Sequence, residues 1–300
     1  MRKINENDFI KFVGKQESQF IVSAKDFTDG VIERFNGVQN FGDCLPWSKT
    51  HGKVRLRPSE VSVWVGINGH GKSQILGQIC AWGVKKNKWL IASLEMKPEA
   101  TMHRMVRQIA GCEDVAEEYV KKVMNYTDGR LWIYDQLDTV KSERILGMIH
   151  YAAQELGIEH VIIDSLMKCG IGSDDYNNQK DFIDRLCWAA KSENIHIHLV
   201  AHVRKGVDEG NRPGKFDVKG CSEITDLVDN VFVVHRNKNK EKKQDLGEAV
   251  DNNEPDCTLT VAKQRHGEWE GVFLFWYHKR SMQYIPDTGN MAMRHTLDAM

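Results

Sequence analysis

The stretch VGINGHGKS, residues 65–73, constrains this chain most, because its spacing is that of a phosphate-binding loop. It follows directly on the apolar run VSVWV and leads into the helical stretch KSQILGQICAWGVKK. In such a strand–loop–helix unit, glycines let backbone N–H groups turn inward onto phosphate oxygens. We therefore predict a nucleotide site made by the loop residues Gly66, Asn68, Gly69, His70, Gly71, Lys72 and Ser73.

The two residues that end the loop have separate expected roles. Lys72 would reach the β- and γ-phosphates, and the Ser73 hydroxyl would bind Mg²⁺. The expected ligands are therefore ATP, or another nucleoside triphosphate, together with Mg²⁺. Kinases, GTPases, motors and recombinases share this loop, so the rest of the chain must indicate what the nucleotide drives.

From Glu60 onward, short β-branched runs alternate with helical stretches. The strand candidates are VSVWVG, WLIASLE, LWIYDQ, HVIIDSL and IHIHLVAH, with helices expected at about 72–86, 98–126, 142–157 and 177–194. This alternation predicts an α/β fold with a mainly parallel twisted sheet and helices on both faces. After Gly220 the candidates are NVFVVHR, CTLTVAKQR, GVFLFWYHK and MQYI, which suggest antiparallel additions at one sheet edge.

The remaining segments predict one helix and one loop, and the composition limits the classes of protein and the compartments that fit this chain. AKDFTDGVIERF, residues 24–35, predicts a short amphipathic helix, and the charged residues 237–256 predict an exposed loop. A net charge of −1 argues against a uniformly basic binder but allows a basic channel. The chain has no apolar run long enough for a membrane helix, and MRKINENDFIKF lacks the core of a secretory signal. Seven scattered cysteines indicate reduced thiols and hence the cytoplasm.

Polar residues lie where three strand candidates end. Asp164 ends an apolar strand, at the edge where such sheets bind ligands, and a carboxylate there could hold Mg²⁺. Glu95 ends another strand and could act as general base on water; the alternative is an ordinary surface glutamate. His202 is expected to contact the γ-phosphate, whereas zinc at His196 and His198 is disfavoured because no third ligand follows at helical spacing.

Two basic pairs allow opposite interpretations. Arg204 and Lys205 begin a loop that could face an anionic polymer or be a solvated turn. Lys263 and Arg265 alternate on a strand, so both side chains point to the same side. They are either exposed strand cations or residues that act in trans on a neighbouring subunit's nucleotide, with Arg265 as an arginine finger.

Taken in order, these segments resemble the hexameric RecA-like replicative helicases: the DnaB-like bacterial enzymes, the helicase halves of phage primase–helicases, and mitochondrial Twinkle. The resemblance covers about residues 50–285. GINGHGKS matches the family's first motif, ASLEM resembles the segment with the catalytic glutamate, VIIDSL the metal-coordinating segment, and LVAHVRKG the γ-phosphate sensor. The resemblance thus implies these roles for Glu95, Asp164 and His202.

Two later matches concern DNA and the neighbouring subunit. FDVKGCSEITDLVDNVFVVHRNK resembles the family segment that contacts single-stranded DNA, which implies that Lys219, Gly220 and Cys221 line a pore. AKQRHGEWEG is similar to the family's K-x-R and glycine turn, which implies trans-acting roles for Lys263 and Arg265. In this chain Lys219 replaces the usual arginine, and Cys221-Ser222 replaces Ser-Gly.

The resemblance implies a RecA-like P-loop NTPase that works as an ATP-dependent replicative DNA helicase. It implies a homo-hexameric ring on single-stranded DNA, with primase and polymerase as partners. The expected layout is an N-terminal segment at 1–50 with a subunit-linking helix, a helicase ATPase domain at 51–287, and a tail at 288–300. The short N-terminal segment suggests a protein encoded by a phage or a plasmid, in the host cytoplasm.

Two other functions fit the phosphate loop and sheet. One is a RecA-type recombinase, a DNA-coating filament in which ATP regulates assembly. The other is a regulatory ring ATPase of the clock-protein kind, with protein as its substrate. The K-x-R strand near the carboxyl end of the chain favours the helicase over the recombinase, whereas poor stimulation of ATP hydrolysis by single-stranded DNA would favour the regulatory ring.

Overall fold

The computed structural model describes residues 22–35, 42–172, 174–203, 223–289 and 291–297. The chain divides into two units, Met1–Phe41 and Gly42–Met300. In the first unit, a 3-10 turn at Ala24–Phe27 leads into helix α1, Thr28–Phe35. The predicted amphipathic helix is therefore confirmed. Its apolar side chains are all exposed: Phe27, Val31, Ile32 and Phe35.

Within the described residues, the second unit is built on a nine-stranded sheet in the order β3-β2-β4-β5-β1-β6-β7-β8-β9. Strands β1 to β6 pair in parallel, and β7 to β9 are added antiparallel at one edge. The predicted α/β class and mainly parallel sheet are confirmed. The strands are β1 Val61–Gly66, β2 Trp89–Ser93, β3 Leu131–Ile133, β4 His160–Asp164, β5 His196–His202, β6 Asn230–Arg236, β7 Cys257–Gln264, β8 Gly271–His278 and β9 Gln283–Ile285.

Strand β6 runs in the opposite direction from the one predicted. The sequence pattern groups it with the antiparallel additions, but it pairs in parallel with β1, with Val63 opposite Val231. The residues Asn230 to His235 are buried, which is typical of a parallel strand covered on both faces. As a consequence Arg236, the last residue of β6, lies at the same sheet edge as the phosphate loop.

Helices cover both faces of the sheet. Val61, Val63 and Val65 of β1 belong to one buried cluster, and Trp64 belongs to the other. This split follows from the alternation of side chains along a strand. The predicted helix at 98–126 is two helices, because Gly111, at φ +73°, ends the first. The helices are α2 Lys72–Gly83, α3 Pro98–Ala110, α4 Glu117–Thr127, α5 Ser142–Leu156 and α6 Tyr176–Ser192.

Two short helices flank β6: α7, Glu223–Leu227, precedes it, and α8, Lys238–Asp245, follows it. The prediction of a loop throughout 237–256 is wrong for α8. The Asn237 side chain caps this helix by accepting from the backbone N–H of Lys240. Lys240 is buried because its ammonium pairs with Asp256 at 2.8 Å. This highly charged segment can thus form a packed helix, because the buried ammonium of Lys240 has a charged partner.

Three histidines lie inside the core. Nε1 of Trp64 donates to Nδ1 of His198 at 3.2 Å, and His198 Nε2 contacts His160 Nδ1 at 3.2 Å. His160 Nε2 in turn contacts Asp43 at 3.0 Å. His196 contacts the Ser62 hydroxyl at 2.8 Å. Burial lowers the pKa of His196 to about 3 and that of His198 well below its usual value, so both rings are neutral core residues.

The residues just before β1 and after β9 pack on the same core. Trp47 lies 4.5 Å from the Phe275 ring, and its Nε1 donates to the Tyr284 carbonyl at 2.7 Å. After β9, the Met293 backbone N–H donates to Gln283 at 2.7 Å. Residues 42–50, which are predicted to belong to the N-terminal segment, lie in the second unit. In the described part of the chain, no helix is both long and apolar enough to cross a membrane.

Candidate functional site

A cleft of about 690 Å³ opens at the carboxyl end of the parallel strands. This is the edge at which open α/β sheets bind their ligands. It brings together most of the predicted nucleotide-site residues from the phosphate loop and from strands β2, β4 and β5. Those predicted residues are Asn68, Gly69, Gly71, Lys72, Ser73, Glu95, Asp164 and His202.

The phosphate loop connects β1 to the amino end of α2. Gly69 and Gly71 have φ angles of +78° and +87°, a left-handed conformation that favours glycine. A Cβ on Gly71 would also lie 2.0 Å from the Tyr284 hydroxyl. Two constraints therefore require glycine at position 71: the left-handed backbone and the close approach of Tyr284 on β9. The loop places the amino end of α2, where N–H groups have no partner within the helix, at the cleft.

The Lys72 ammonium is held inside the loop. It donates to the carbonyls of Gly66 at 2.7 Å and Ile67 at 3.0 Å, and the side chain is buried. Burial lowers the pKa of Lys72 to about 8, while the nearby carboxylates of Asp164 and Glu95 act in the opposite direction. A cation placed at the amino end of a helix is suited to bind phosphate.

Asp164 and Ser73 provide adjacent oxygen atoms at the cleft. The Ser73 hydroxyl hydrogen-bonds to the Asp164 carboxylate, and Asp164 is buried. Burial raises the pKa of Asp164, and the neighbouring Glu95 adds to this effect, while Lys72 and Arg104 lower it. The pair fits Mg²⁺, which takes one or two protein oxygens and completes its shell with phosphate and water.

Glu95 lies beyond the end of β2 and is exposed to the cleft. The Ser165 hydroxyl donates to its Oε1 at 2.9 Å, which orients the carboxylate. Ser165 directly follows Asp164, so the general-base candidate and the metal-ligand candidate are positioned by neighbouring residues. The arrangement allows Glu95 to accept a proton from water while Asp164 binds a cation.

His202 is the last residue of β5 and lies opposite Gly66 in the parallel pairing with β1. It lines the cleft. The alignment of the two strand ends brings this side chain beside the loop that begins at Gly66. The contact of His202 with the terminal phosphate stays a prediction.

Two predicted loop residues do not line the cleft. Gly66 lies beneath the loop, where a Cβ would approach the Val234 carbonyl to 2.5 Å. His70 is buried, and its Nδ1 accepts from the backbone N–H of Arg236 at 3.2 Å. Burial lowers the pKa of His70 to about 4, with a contribution from the nearby His235. His70 therefore joins the loop to the end of β6 and does not line the cleft.

The cleft also has six lining residues that sequence reasoning missed: Gln74, Arg104, Thr139, Met167, Lys168 and Arg236. Arg104 lies on α3, where burial lowers its pKa and Asp164 raises it. The sequence offers no means of fixing which side of α3 faces the cleft. Arg236 would be predicted only if β6 were taken as parallel, because a parallel β6 ends at the ligand edge of the sheet. Its guanidinium pairs with Glu241 at 2.7 Å and lies 5.5 Å from the Tyr277 ring.

Lys263 and Arg265 lie at the other end of the sheet. The Lys263 ammonium donates to the carbonyls of Thr225, Asp226 and Val228 at 2.8 Å each. Arg265 donates to the carbonyls at the carboxyl end of α7 and pairs with Asp229 at 3.2 Å. Both cations face the same helix end, as their alternation predicted. Burial lowers the pKa of Lys263, and Arg265 adds to this effect.

The predicted DNA-contacting residues lie outside the described residues. They are Arg204, Lys205, Lys219, Gly220 and Cys221.

Similarity to known proteins extends over most of the chain. The family model of the DnaB-like helicase C-terminal domain matches residues 50–284. The Twinkle homolog protein, chloroplastic/mitochondrial, of Arabidopsis thaliana is 21% identical over 243 residues, which cover 73% of this chain and 34% of that protein. This chain thus spans about a third of the length of that relative.

Two solved structures share the fold. One is an ATPase domain with a TM-score of 0.74 at 13% identity, covering 88% of this chain and 99% of that one. The other is a DnaB-like replicative helicase, described with its interactions with primase, with a TM-score of 0.70 at 13% identity, covering 88% of this chain and 67% of that one. The matched fold confirms the predicted RecA-like architecture with antiparallel strands at its carboxyl-terminal edge.

Proposed function

Because this chain belongs to the DnaB-like helicase C-terminal domain family, we propose that it is the motor of a replicative DNA helicase. In this proposal it forms a homo-hexameric ring, hydrolyses ATP between subunits, moves along single-stranded DNA and unwinds the duplex at the fork. The observation that carries the proposal is the separation of the phosphate loop from the Lys263 and Arg265 pair.

That separation follows from the contacts at the two ends of β1. Gly66, at one end, begins the phosphate loop, and the N–H of Val61, at the other end, is bonded to Asp229 beside Arg265. At about 3.3 Å per residue, these two ends lie about 17 Å apart. An arginine side chain is too short to span that distance, so Arg265 cannot serve the nucleotide of its own subunit. A neighbouring subunit's nucleotide is the substrate that fits it.

The chemistry assigned to each side chain follows from its position. Lys72 binds the β- and γ-phosphates, and Ser73 and Asp164 would hold Mg²⁺, which neutralises phosphate charge when bound. Glu95 accepts the proton of the attacking water, and His202 contacts the γ-phosphate. The neighbour's Arg265 and Lys263 stabilise charge that develops in the transition state.

The proposed DNA contacts belong to Arg204, Lys205, Lys219, Gly220 and Cys221. Contacts of this kind are mostly to phosphates, so binding should be indifferent to sequence and sensitive to salt. We also propose that α1 and the 3-10 turn before it dock on a neighbouring copy, which would cover four exposed apolar side chains: Phe27, Val31, Ile32 and Phe35. Deletion of residues 1–40 with no loss of the oligomer would contradict this docking.

Primase and polymerase are proposed as partners at the fork. The six described cysteines are unpaired, which supports a reducing compartment such as the cytoplasm. Family membership favours the helicase over a recombinase filament or a clock-type regulatory ring, since both alternatives rest on the phosphate loop and sheet alone.

Displacement of a labelled strand from a forked DNA duplex tests the proposal. The protein should release the strand with ATP and Mg²⁺, and not with a non-hydrolysable ATP analogue. Lys72→Ala is the matched control, because it removes the phosphate-binding ammonium and leaves the sheet intact. Strand release by Lys72→Ala at the rate of the unaltered protein would contradict the proposal.

A further inference from the structure

Asp229 lies between α7 and β6, and its carboxylate joins two parts of the subunit. Oδ2 accepts the backbone N–H of Val61 at 2.9 Å, and Oδ1 pairs with Nη1 of Arg265 at 3.2 Å. The Asp229 backbone carbonyl also accepts the N–H of Arg265 at 2.8 Å. Asp229 is buried. A buried carboxylate is retained only when its charge is compensated, and here both oxygens have partners.

The guanidinium of Arg265 is oriented from two directions. Nη1 faces Asp229, while Nη2 donates to the carbonyls of Asp226 at 3.2 Å and Leu227 at 3.0 Å. The side chain still keeps 39% of its surface exposed. The guanidinium of Arg265 is therefore held in one orientation and remains accessible to a second molecule. The planar guanidinium gains geometric definition from such paired contacts.

The other contact of Asp229 reaches the strand of the phosphate loop. Val61 is the first residue of β1, and every residue of this strand is buried. Packed strands of this kind move as rigid elements, because close packing leaves little room for local deformation. A displacement of β1 at the loop end would therefore also displace Val61. Asp229 is the side chain that bonds both Val61 and Arg265.

We propose that Asp229 is the positioning residue of Arg265. It fixes the guanidinium for the neighbouring subunit's nucleotide and ties it to the strand that carries the phosphate loop of its own subunit. This inference rests on the proposed function, since it needs Arg265 to act in trans.

The test is a subunit-mixing experiment with Asp229→Asn. Asparagine keeps an oxygen for the Val61 N–H but removes the charge that pairs with Arg265. ATP hydrolysis should fall about 10- to 100-fold, which is the range expected for loss of a charge-assisted hydrogen bond. Binding of a fluorescent ATP analogue should stay within about twofold of the unaltered protein, because the variant's own phosphate loop lies about 17 Å away.

Mixing then assigns the defect to one side of the interface. Asp229→Asn contributes an intact nucleotide site, and Lys72→Ala contributes an intact Arg265. If Asp229 acts through Arg265, a mixture of the two variants should regain hydrolysis, as a mixture of Arg265→Ala with Lys72→Ala should. The double variant with both Asp229→Asn and Arg265→Ala should hydrolyse ATP less than about twofold more slowly than Arg265→Ala alone. The guanidinium that Asp229 orients is already gone in that background.

Glu60→Gln is the matched control. It neutralises another buried carboxylate, next to Val61, whose contacts are Asn230 at 2.8 Å and Arg57 at 3.6 Å and not Arg265. It should keep the hydrolysis rate of the unaltered protein. Thermal unfolding of each variant reports whether folding is retained. If Asp229→Asn lowers stability, the double variant still distinguishes the two explanations. A loss of hydrolysis that is only structural would add to the loss caused by Arg265→Ala, whereas a loss that acts through Arg265 would not.

The outcomes separate the inference from the proposed function. Rescue of Lys72→Ala by Arg265→Ala but not by Asp229→Asn would overturn the role of Asp229 and leave the trans arrangement standing. A further tenfold loss in the double variant would do the same. Failure of both mixtures would overturn the trans arrangement and, with it, this inference.

Discussion

The Ser165 hydroxyl donates a hydrogen bond of 2.9 Å to Oε1 of Glu95, next to the Asp164 carboxylate that faces Ser73. Glu95→Gln should lower the hydrolysis rate about 10²- to 10⁴-fold, because an amide cannot take the proton of the attacking water. Nucleotide affinity should change little, since Lys72 and the loop N–H groups remain. Single-turnover hydrolysis and equilibrium binding measure the two effects.

Ser165→Ala is the matched control for that prediction. It removes the hydroxyl that orients Glu95 and keeps the carboxylate, so its loss of rate should be smaller. A Glu95→Gln variant that hydrolyses ATP as fast as the unaltered protein would remove Glu95 from the chemistry.

Nucleotide binding should depend on pH through Lys72. Burial lowers the pKa of Lys72 to about 8, so the ammonium is charged below this pH and neutral above it. Phosphate favours the charged form, and binding above pH 8 should therefore be accompanied by proton uptake. Affinity should fall as the pH rises from about 8 to about 9.5. Calorimetry in buffers of different ionisation enthalpy counts the proton.

Lys72→Arg is the comparison, because a guanidinium stays charged over this range. Its affinity is expected to be weaker but independent of pH. Proton uptake that persists unchanged in Lys72→Arg would assign the titration to another group.

Gly71 and Tyr284 should be energetically coupled. Gly71→Ala would place a Cβ 2.0 Å from the Tyr284 hydroxyl at a φ of +87°. We expect a loss of about 1–3 kcal/mol from the backbone strain and a further loss from the overlap. Tyr284→Phe should recover most of the second part and none of the first, because the next atom of the ring, Cζ, lies 3.1 Å away and would have to shift only slightly. Chemical unfolding of the single and double variants measures the coupling.

Gly69→Ala separates strain from overlap. Gly69 has a φ of +78°, but a Cβ added there would meet nothing within 4 Å. It should therefore show the strain cost and no rescue by Tyr284→Phe. Equal losses for Gly69→Ala and Gly71→Ala would show that Tyr284 does not restrict the loop.

Buried histidines should make the fold sensitive to acid. The pKa of His196 is about 3 in the folded chain, against 6.5 for an unperturbed histidine. The unfolded chain therefore binds the proton first, and stability falls as the pH drops below 6.5. His196 alone accounts for about 2 kcal/mol between about pH 8 and about pH 5. Denaturant titrations at several pH values measure the slope.

His198→Asn tests one member of this group. The asparagine oxygen can still accept from Trp64, but it does not titrate, so the dependence of the unfolding free energy on pH should weaken by up to one proton. His103→Gln is the matched substitution, because His103 is exposed on α3 and lies outside the buried histidine group. An unaltered slope in His198→Asn would contradict the assignment.

The strands and the cleft were predictable because local signals and long-range geometry agree there. VSVWVG and VIIDSL are apolar runs that end in chemistry-bearing residues, and their carboxyl ends meet at one edge whatever the rest of the chain does. Glu95, Asp164 and His202 were found in this way. The direction of β6 was not, because a short apolar run has the same pattern in either direction.

The missed residues share a physical cause. Arg236 depends on the direction of β6, and Arg104 depends on how α3 is rotated against α2. The burial of Lys240 was not predictable for the same reason, since it requires the ion pair with Asp256, sixteen residues further along. Such positions are set by tertiary pairing, which local propensity does not contain.

The measurement that tests the central claim most directly is the steady-state ATPase rate with and without single-stranded DNA, on protein whose mass is read by light scattering. We predict a six-subunit species whose hydrolysis rises several-fold with DNA. Hydrolysis by a monomer that DNA does not stimulate would contradict this claim, and would leave a working phosphate loop that drives some other process.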